Sequence, residues 1–238
     1  ARLEGSKAFA KAFMQRHGIP TGACLETDSL EEALDAARSR RFGFPLVIKA
    51  DGLAAGKGVI IAPNLEEAEA AIRQILEDRI LGEAGSKILL EQFLTGEEVS
   101  FLVFSDGVHA LPMVPSQDHK TVFDNDLGPN TGGMGAYSAD WILSPSAHHE
   151  LMERIVLPTL EGMAAEGMPY RGILYFGLMM TRDGIRVLEY NARMGDPETQ
   201  PVLLRLESDL LDICDALLEQ RLDHVRLQWD SQRSVCVV

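Results

Sequence analysis

A glycine-rich segment with two lysines, KADGLAAGKG from Lys49 onward, lies between two short apolar runs of the sequence. Its glycines allow backbone N–H groups to turn toward an anion without side-chain obstruction, while Lys49 or Lys57 can supply positive charge. A P-loop is excluded because three residues rather than four separate Gly52 from Gly56, and because Gly58 stands where Ser or Thr should hold magnesium. The following run, VIIA, is typical of a strand and predicts a hairpin flap over phosphate groups. A glycine-rich turn with solvated lysines is an equally good interpretation of this segment alone.

A carboxylate and a carboxamide are two residues apart in a second segment, at Glu189 and Asn191. The preceding strand pattern predicts that both side chains project from one face of a sheet. Such oxygen ligands suit a hard cation such as Mg²⁺, which usually takes one or two protein carboxylates and completes its shell with water and phosphate oxygens. Considered alone, the pair is better explained as a solvated polar strand face.

The next stretch, NARMGDPETQP, combines an arginine, two acids, an amide, a glycine and two prolines. Arg193 is suited to bidentate recognition of a carboxylate or phosphate, and Asp196 or Glu198 could position an amine. A plain surface loop is the alternative interpretation.

Helix-capping patterns and short apolar runs predict the elements that carry the first segment. Ser29 with Glu32 and Asn64 with Glu67 each form a capping-box pattern ahead of an amphipathic helix. The apolar runs PLVIKA, VIIA and KILLEQF have the length and β-branched content of strands. These patterns therefore predict a small α/β domain over residues 25–92.

The pattern changes to longer strands from Glu97 onward, where a second domain is predicted. The dipeptide at residues 106–107 (DG) and the tripeptide at 182–184 (RDG) are hairpin signatures, and a helix is predicted near residues 144–166. The last helix should begin at Ser208 or Asp209, and its predicted core positions are Leu210, Cys214, Leu217 and Leu218. At the other end of the chain, Ser6 should cap a helix that runs to Gln15.

Composition limits the function classes. Of 238 residues, 46% are hydrophobic and 24% charged, as in a globular protein, and the net charge of -14 argues against a nucleic-acid partner. The three cysteines, Cys24, Cys214 and Cys236, lack the spacing of a zinc site or a disulfide framework. No apolar run approaches the ~20 residues that span a bilayer, and the first residues contain no apolar signal segment. We therefore expect a cytoplasmic protein with neither a membrane nor a nucleic-acid partner. We also expect a monomer, although the sequence itself does not give the oligomeric state.

Six strings of the sequence carry a family resemblance. RMGDPETQP resembles the signature of the glycinamide ribonucleotide synthetase family, whose members are also called phosphoribosylamine–glycine ligases. Five other strings resemble that family in the same order: LEGSKAFAK, IKADGLAAGKGVIIA, EQFLTGEEVSF, QDHKTVFDNDLGPNTGGMGAYS and YRGILYFGLMM. The resemblance covers essentially the whole chain. One departure is Met194, where the family usually has Phe, and we expect this exchange to alter packing rather than chemistry.

The resemblance implies an α/β (α+β) ATP-grasp fold, in which two α/β lobes hold ATP between antiparallel sheets. Residues 25–92 would form the small lobe and residues 93–230 the large lobe. Family members carry further domains on both sides of this region. Residues 1–24 would accordingly be a helix and connection from an N-terminal domain, and residues 231–238 the start of a C-terminal domain.

The resemblance also implies roles for individual residues. Lys7 and Lys49 would meet the ATP phosphates, the glycine-rich loop would cover them, residues 91–94 would be the hinge against adenine, and Glu98 could accept from the ribose hydroxyls. The full set implied for ATP is Lys7, Lys49, Gly52, Gly56, Lys57, Gly58, Glu91, Gln92, Phe93, Leu94 and Glu98. Glu189 and Asn191 match the metal pair that holds Mg²⁺ or Mn²⁺. On the substrate side, Asp118 would contact the incoming amine and Arg193 the glycine carboxylate, with Lys49 as a third catalytic group.

The implied reaction joins glycine to 5-phosphoribosylamine in purine biosynthesis. ATP, glycine and 5-phosphoribosylamine give glycinamide ribonucleotide, ADP and phosphate by way of a glycyl phosphate, so the substrates are the expected partners and no protein nucleophile is required. Two alternatives stay open. One is another ATP-grasp carboxylate–amine ligase with a different acceptor, and the other is a nucleotide-binding fragment that is inactive without further domains.

Overall fold

The structure, a computed structural model, describes residues 2–52, 58–124 and 127–238. The chain forms two compact units. Unit 1 contains the described residues through Gln15 together with those of Thr21–Thr95, and unit 2 contains Arg16–Pro20 and Gly96–Val238. No helix in these described ranges has the length and apolar composition that crossing a bilayer requires.

Unit 1 is built on a four-stranded antiparallel sheet. Its strands are β1 (Cys24–Thr27), β2 (Leu46–Ala50), β3 (Val59–Ala62) and β4 (Ile88–Gln92), in the order β1-β4-β2-β3. Its helices are α1 (Arg2–Gly5), α2 (Lys7–Arg16), α3 (Leu30–Arg38) and α4 (Leu65–Leu76), with a short 3-10 turn at Gly82–Gly85. The strand predicted after the glycine-rich segment is confirmed, because β3 pairs antiparallel with β2.

The helix starts predicted for unit 1 are confirmed by their capping bonds. The Ser6 hydroxyl accepts the Phe9 N–H at 3.0 Å, and the Ser29 hydroxyl accepts the Glu32 N–H at 3.3 Å. Asn64 makes a reciprocal pair with Glu67, by accepting its N–H at 3.0 Å and donating to its carboxylate at 2.8 Å. These caps fix where each helix meets the sheet.

Side chains alternate between the two faces of the unit 1 sheet, and the two faces differ in character. One face packs against α3 and α4 and forms an apolar core that includes Leu46, Ile48, Ile88, Leu90, Ala33, Ala68, Ile72 and Ile75. The β2–β4 register places Val47, Lys49, Leu89 and Glu91 on the opposite face. That opposite face therefore carries Lys49 and Glu91, the charged residues of the two central strands.

Unit 2 is built on a seven-stranded antiparallel sheet. Its strands are β5 (Glu97–Asp106), β6 (Ala110–Pro112), β7 (Ser116–Phe123), β8 (Leu127–Ser138), β9 (Arg171–Thr181), β10 (Gly184–Asn191) and β11 (Ser234–Val237). The order is β10-β9-β5-β7-β8-β11, with β6 paired to β5. Both predicted hairpins are confirmed, with Gly107 at φ 95° and Gly184 at φ 104° in their turns. Because β11 pairs with β8, residues 234–237 extend this sheet, and the assignment of 231–238 to a further domain stays a prediction.

Helices cover both faces of the unit 2 sheet. They are α5 (Pro145–Leu151), a π-helical turn (Met152–Val156), α6 (Leu157–Ala165), α7 (Thr199–Leu204) and α8 (Leu210–Leu218), with 3-10 turns at Asp140–Ile142 and Leu222–His224. The helical stretch 145–165 touches one face, where His148 lies edge-on to Phe101 and Thr159 is 3.1 Å from the Tyr190 hydroxyl. On the other face, α7 and α8 pack on Leu102, Phe104 and Tyr175.

The predicted core positions of the last helix are largely wrong. Asp209 caps α8, as predicted, but the buried residues are Ile213, Ala216 and Leu217. Leu210 and Cys214 are exposed, and Leu218 is 71% exposed. The apolar residues of this helix surround most of its circumference, so spacing alone did not define which stripe faces the sheet.

The β5–β6 hairpin is tied to the C-terminal part of unit 2 through the buried carboxylate of Asp106. One oxygen accepts the N–H groups of Val108 at 2.9 Å and His109 at 2.7 Å, and the other accepts the Leu222 N–H at 3.2 Å. Burial alone would raise the pKa of Asp106, but these hydrogen bonds outweigh burial and lower it to about 2. The His109 ring nitrogen Nδ1 lies 3.0 Å from Asp106 Oδ2, and the hydrogen bond between them raises the pKa of His109.

We expect Asp106 to stabilise unit 2 at neutral pH and to lose this effect as the pH falls from roughly 4 to 2. A carboxyl group with a depressed folded pKa stabilises the fold above its unfolded pKa, here by on the order of 2 kcal/mol. Asp106→Asn should therefore unfold at lower urea than the wild type at about pH 7, and the difference should shrink toward about pH 2. Tryptophan fluorescence reports this unit, because both tryptophans, Trp141 and Trp229, belong to it.

Asp183→Asn is the matched control, since Asp183 is exposed at the tip of the β9–β10 hairpin. It should change the urea midpoint little at either pH. A deficit for Asp106→Asn that is as large at about pH 3 as at about pH 7 would contradict the assignment.

Candidate active site

Two lysines and a glutamate form a buried charged cluster in unit 1. Glu91 on β4 is 4% exposed, Lys49 on β2 is 8% exposed and Lys11 on α2 is 4% exposed. Both ammonium groups contact the same carboxylate oxygen, Glu91 Oε2, at 3.0 Å from Lys11 and 3.1 Å from Lys49. The sequence prediction included Lys49 and Glu91 but not Lys11.

The second oxygen of the same carboxylate is buried and has no partner. Glu91 Oε1 is the one side-chain N or O atom with these properties that is found among the described residues. Buried polar groups are nearly always hydrogen-bonded, and leaving a charged acceptor without a donor costs at least about 1–3 kcal/mol. An unpartnered carboxylate oxygen is therefore suited to receive an N–H group from a ligand.

The charges of this cluster respond to burial and to each other. Burial lowers the pKa of Lys11, and the Glu91 carboxylate acts in the opposite direction. Burial raises the pKa of the neighbouring Cys24 thiol, which keeps it neutral. The cluster thus contains two amino groups for one carboxylate.

The start of helix α2 is joined to the start of the glycine-rich segment. Lys7 Nζ donates to the Gly52 carbonyl at 3.2 Å, and the Asp51 carboxylate accepts from the Ser6 hydroxyl at 3.0 Å and from the Ala8 N–H at 2.7 Å. A Cβ at Gly52 would lie 2.7 Å from the Ala84 Cα, so only glycine fits there. This arrangement brings two of the predicted phosphate-binding residues, Lys7 and Gly52, into contact.

Three predicted positions belong to the flap itself. Gly56 and Lys57 lie outside the described residues. Gly58 is buried, and its carbonyl accepts the Ala50 N–H at 2.8 Å, which closes the base of the β2–β3 hairpin. The role of this segment over phosphates stays a prediction.

The predicted hinge, residues 91–94, begins within the last two residues of β4. Gln92 is the exposed last residue of that strand and donates its N–H to Ala23, while Phe93 and Leu94 are half-buried. Two partly exposed apolar side chains, Val59 and Ile61, share the sheet face of Lys49 and Glu91 through the β2–β3 register. A flat apolar base could pack on them.

Unit 2 gathers a second set of polar residues on one sheet face. Ser100 pairs with Ser116 and with Gly177, and Gly177 pairs with Glu189. Because side chains alternate along each strand, the register places Glu98, Ser100, Asp118, Tyr175, Gly177, Glu189 and Asn191 on this face. Toward the other end of the same face, α7 and α8 cover the apolar residues of β5 and β9.

A β-bulge sets the direction of Glu189 and Asn191. Ile185 and Val187 are buried on the face opposite the polar set, and strict alternation from them would bury Glu189 as well. The register shift between Val187 and Glu189 changes the phase, so that Tyr190 is buried while Glu189 and Asn191 share the polar face. The predicted common face is confirmed, although the bulge that turns both side chains toward the polar side of the sheet was not predicted.

The opposing residue in β9 leaves room for Glu189, one of the two predicted metal ligands. A Cβ at Gly177 would lie 3.0 Å from the Glu189 Cγ, which is tighter than ordinary contact. Within residues 2–52, 58–124 and 127–238, no group of three or more His, Cys, Asp and Glu side chains could hold a metal. One carboxylate and one amide still fit Mg²⁺, which takes the rest of its shell from water and phosphate.

Lys120 lies among three carboxylates on this polar face. Its Nζ is 3.3 Å from Asp118 Oδ2 and 3.4 Å from Glu98 Oε2. Burial alone would lower the pKa of Lys120, but the charges of Asp118, Glu98 and Glu189 raise it above its ordinary value. The sequence analysis gave Asp118 a role and gave none to Lys120, although a spacing of two residues in a strand pattern could have indicated a shared face.

The loop after β10 packs against the side chain of a buried glutamate, Glu198. Glu198 is 3% exposed, and its Oε1 accepts from the Ser100 hydroxyl at 2.8 Å and the Tyr175 hydroxyl at 2.9 Å. A Cβ at Gly195 would lie 2.4 Å from Glu198 Oε2, so glycine allows the loop to close over this carboxylate. Of the two acids considered for an amine, Asp196 is exposed and Glu198 is part of the support.

Arg193 is exposed at the start of that loop. Its Nη1 donates to the Met194 carbonyl at 2.9 Å. The Met194 side chain packs against the apolar cluster beneath α7 and α8, in agreement with a packing role for this exchange. The structure brings Arg193 to the end of the strand that carries Glu189 and Asn191.

Comparisons with known proteins agree with these features. Residues 5–199 match the family model of the phosphoribosylglycinamide synthetase ATP-grasp (A) domain. The phosphoribosylamine–glycine ligase of Vibrio parahaemolyticus is 54% identical over 239 residues, which cover 100% of this chain and 55% of the relative. The Escherichia coli K12 enzyme of the same name is also 54% identical with the same coverage. The chain thus spans about half the length of the curated relatives it matches.

Solved structures give the same fold. The phosphoribosylamine–glycine ligase of Thermotoga maritima is 36% identical with a TM-score of 0.84, and the match covers 100% of this chain and 59% of that one. An ADP complex of N5-carboxyaminoimidazole ribonucleotide synthetase has a TM-score of 0.71 at 14% identity, with 99% of this chain and 56% of that one covered, which supports the fold alone. The predicted α/β ATP-grasp fold is confirmed, and the chain belongs to the phosphoribosylglycinamide synthetase family, whose ATP-grasp domain it contains.

Proposed function

We propose that this chain is the ATP-using part of an enzyme that ligates glycine to 5-phosphoribosylamine and yields glycinamide ribonucleotide, ADP and phosphate. The choice of acid and amine is supported by relatives at 54% identity that are named phosphoribosylamine–glycine ligases. The observation that carries the use of ATP is the buried Glu91 carboxylate, with one oxygen held by two lysines and the other without a partner.

The unpartnered oxygen suits the amino group of adenine. In this proposal Glu91 Oε1 accepts an N–H from the base, while Val59 and Ile61 contact its flat surface and the backbone of residues 92–94 pairs with its edge. Guanine presents a carbonyl at the equivalent position. That carbonyl would face a buried carboxylate and leave both acceptors without a donor.

The phosphates would be bound beside this base site. Lys49 and Lys7 supply the positive charge, and the glycines at 52, 56 and 58 supply backbone N–H groups, with Lys57 as a further cation. Lys7 and Lys49 are already held near the glycine-rich segment, since Lys7 contacts Gly52 and Lys49 precedes it in β2. Less reorganisation is then needed when the polyphosphate binds.

On unit 2, Glu189 and Asn191 would hold Mg²⁺ or Mn²⁺. A bound divalent ion supplies charge neutralisation for the phosphoryl group that is transferred. The Lys120 ammonium lies on the same face and adds positive charge, while Glu98 is available to ribose hydroxyls. These groups act by position and charge, which is the main requirement of phosphoryl transfer.

The proposed chemistry has two steps. First, an oxygen of the glycine carboxylate attacks the γ-phosphorus of ATP, and ADP leaves. Second, the amine of 5-phosphoribosylamine attacks the acyl carbon, phosphate leaves, and the amine nitrogen loses a proton. Arg193 would hold the glycine carboxylate through its planar fork, and Asp118 would accept a hydrogen bond from the incoming amine.

The runner-up function is ligation of another acid and amine on the same ATP site. An L-amino acid ligase from Bacillus licheniformis shares the fold at a TM-score of 0.65 and 17% identity, which favours no particular acceptor. Comparing turnover with each amine acceptor separates the two functions, and ATP binding without turnover on any acceptor indicates a nucleotide-binding piece. We further propose that the protein acts in the cytoplasm as a monomer, without nucleic-acid or membrane partners, as its acidic composition suggests.

The 238-residue chain should bind ATP in the presence of Mg²⁺ and should bind GTP about tenfold or more weakly, because guanine has a carbonyl where adenine has the amino group that would donate to Glu91 Oε1. Titration calorimetry with both nucleotides measures the two affinities. The absence of heat and of a thermal shift with Mg²⁺-ATP at millimolar concentration would refute the nucleotide site.

Replacing Glu189 and Asn191 together by Ala should reduce the Mg²⁺-dependent gain in ATP affinity by about tenfold and leave the melting temperature nearly unchanged. The physical reason is loss of both protein ligands of the ion from a face that is otherwise polar. ATP titrations with Mg²⁺ and with EDTA measure this gain. Glu161→Ala, at an exposed helix position, is the control, and a double variant that keeps the wild-type gain would remove the metal assignment.

Arg193→Lys should impair the use of glycine and leave ATP affinity nearly unchanged. Lysine keeps the charge but loses the two-point geometry, and a carboxylate misplaced by about 1 Å reacts on the order of 100-fold more slowly. Glycine-dependent ADP formation at saturating ATP measures the effect, with Arg182→Lys at the exposed β9–β10 turn as the control. Unchanged glycine dependence would remove the role of Arg193 in binding glycine. A loss of ATP affinity and of melting temperature that accompanies the loss of glycine use would indicate a structural role instead.

A further inference from the structure

The function proposed so far gives Lys11 no contact with a substrate, yet Lys11 is among the most buried charged residues of unit 1. It lies on α2, and its Nζ donates to the Thr21 hydroxyl at 2.7 Å and contacts Glu91 Oε2 at 3.0 Å. Lysine is rarely buried, and taking its ammonium out of water costs several kcal/mol unless partners compensate. Such a costly residue suggests a purpose other than packing.

The contact geometry fixes the orientation of the Glu91 carboxylate. Lys11 and Lys49 approach the same oxygen, so the other oxygen is directed away from both. The terminal torsion of a glutamate side chain is soft, and a carboxylate held by a single lysine can rotate to share either oxygen. The second lysine therefore restricts which oxygen remains available to a ligand.

The charge balance of the cluster points the same way. One lysine is enough to balance the Glu91 carboxylate, and the Cys24 thiol beside it adds no charge because burial raises its pKa. Lys11 is fixed by Thr21 and Glu91, whereas Lys49 is the first residue of the glycine-rich segment proposed to bind phosphates. Lys11 is therefore the lysine whose role is confined to holding the carboxylate.

We propose that Lys11 is a positioning residue of the nucleotide site, which holds Glu91 so that Oε1 faces the amino group of the base. This inference rests on the proposed use of ATP. It assigns Lys11 no contact with the nucleotide. Its effect should therefore appear in selectivity for the base amino group.

The test compares ATP with purine riboside 5′-triphosphate, which lacks that amino group. The wild-type chain should bind ATP about tenfold more tightly than the analogue. Lys11→Met, which keeps the length of the side chain and removes its charge, should reduce this ratio to near one. Lys87→Met is the matched control, because Lys87 makes an exposed ion pair with Glu26 in the same unit and should leave the ratio unchanged.

A second variant keeps the test decisive if Lys11→Met does not fold. Thr21→Val removes the hydroxyl that accepts from Lys11 and should lower the ratio by a smaller factor, about twofold to threefold. Melting curves establish which variants are folded. If the folded variants bind both nucleotides more weakly by the same factor, so that the ratio stays at its wild-type value, Lys11 is structural and the inference is overturned.

Failure of the proposed function gives a different result. A wild-type chain that binds neither nucleotide refutes the ATP site itself. A wild type that binds both equally refutes the contact between Glu91 and the base, and the role of Lys11 with it. Only a wild-type preference that survives in the Lys11 and Thr21 variants overturns the inference alone.

Discussion

The arrangement on which unit 1 depends is the burial of one carboxylate against two ammonium groups. Desolvating three charges is costly, and here only one of the two carboxylate oxygens is compensated by the protein. Strands β2 and β4 supply Lys49 and Glu91 from one sheet face, and α2 brings Lys11 onto that face. The other face of the sheet packs against α3 and α4 and forms the apolar core of the unit. This close packing stabilises the strands that carry the charged cluster, in which one carboxylate oxygen has no partner.

In unit 2, one face of the sheet has an apolar end and a polar end. Helices α7 and α8 cover the apolar end, while the polar end carries Lys120, Asp118, Glu189 and Asn191. At the boundary, the buried Glu198 accepts bonds from Ser100 and Tyr175 and supports the loop that begins near Arg193. Burial raises the pKa of the Tyr175 hydroxyl well above its usual value, which keeps it a hydrogen-bond donor to Glu198.

Local signals in the sequence were sufficient for helix caps, hairpin turns and the common face of Glu189 and Asn191, since each depends on residues a few positions apart. They were not sufficient for Lys11, which looks like any helix lysine until the fold brings Glu91, 80 positions away, against it. The bulge before Glu189 has no clear sequence signature, and the apolar residues of α8 allow more than one inward stripe. These misses share one cause, which is that tertiary contacts and not local pattern select among the possibilities.

The central claim is that the free oxygen of Glu91 is an acceptor reserved for the nucleotide base. A crystal structure of the chain with Mg²⁺ and a non-hydrolysable ATP analogue tests it most directly. The account predicts the amino nitrogen of adenine at about 3 Å from Glu91 Oε1, with both lysines still on Oε2. A bound analogue whose base lies elsewhere, with Glu91 Oε1 satisfied by water or by the protein, would contradict it.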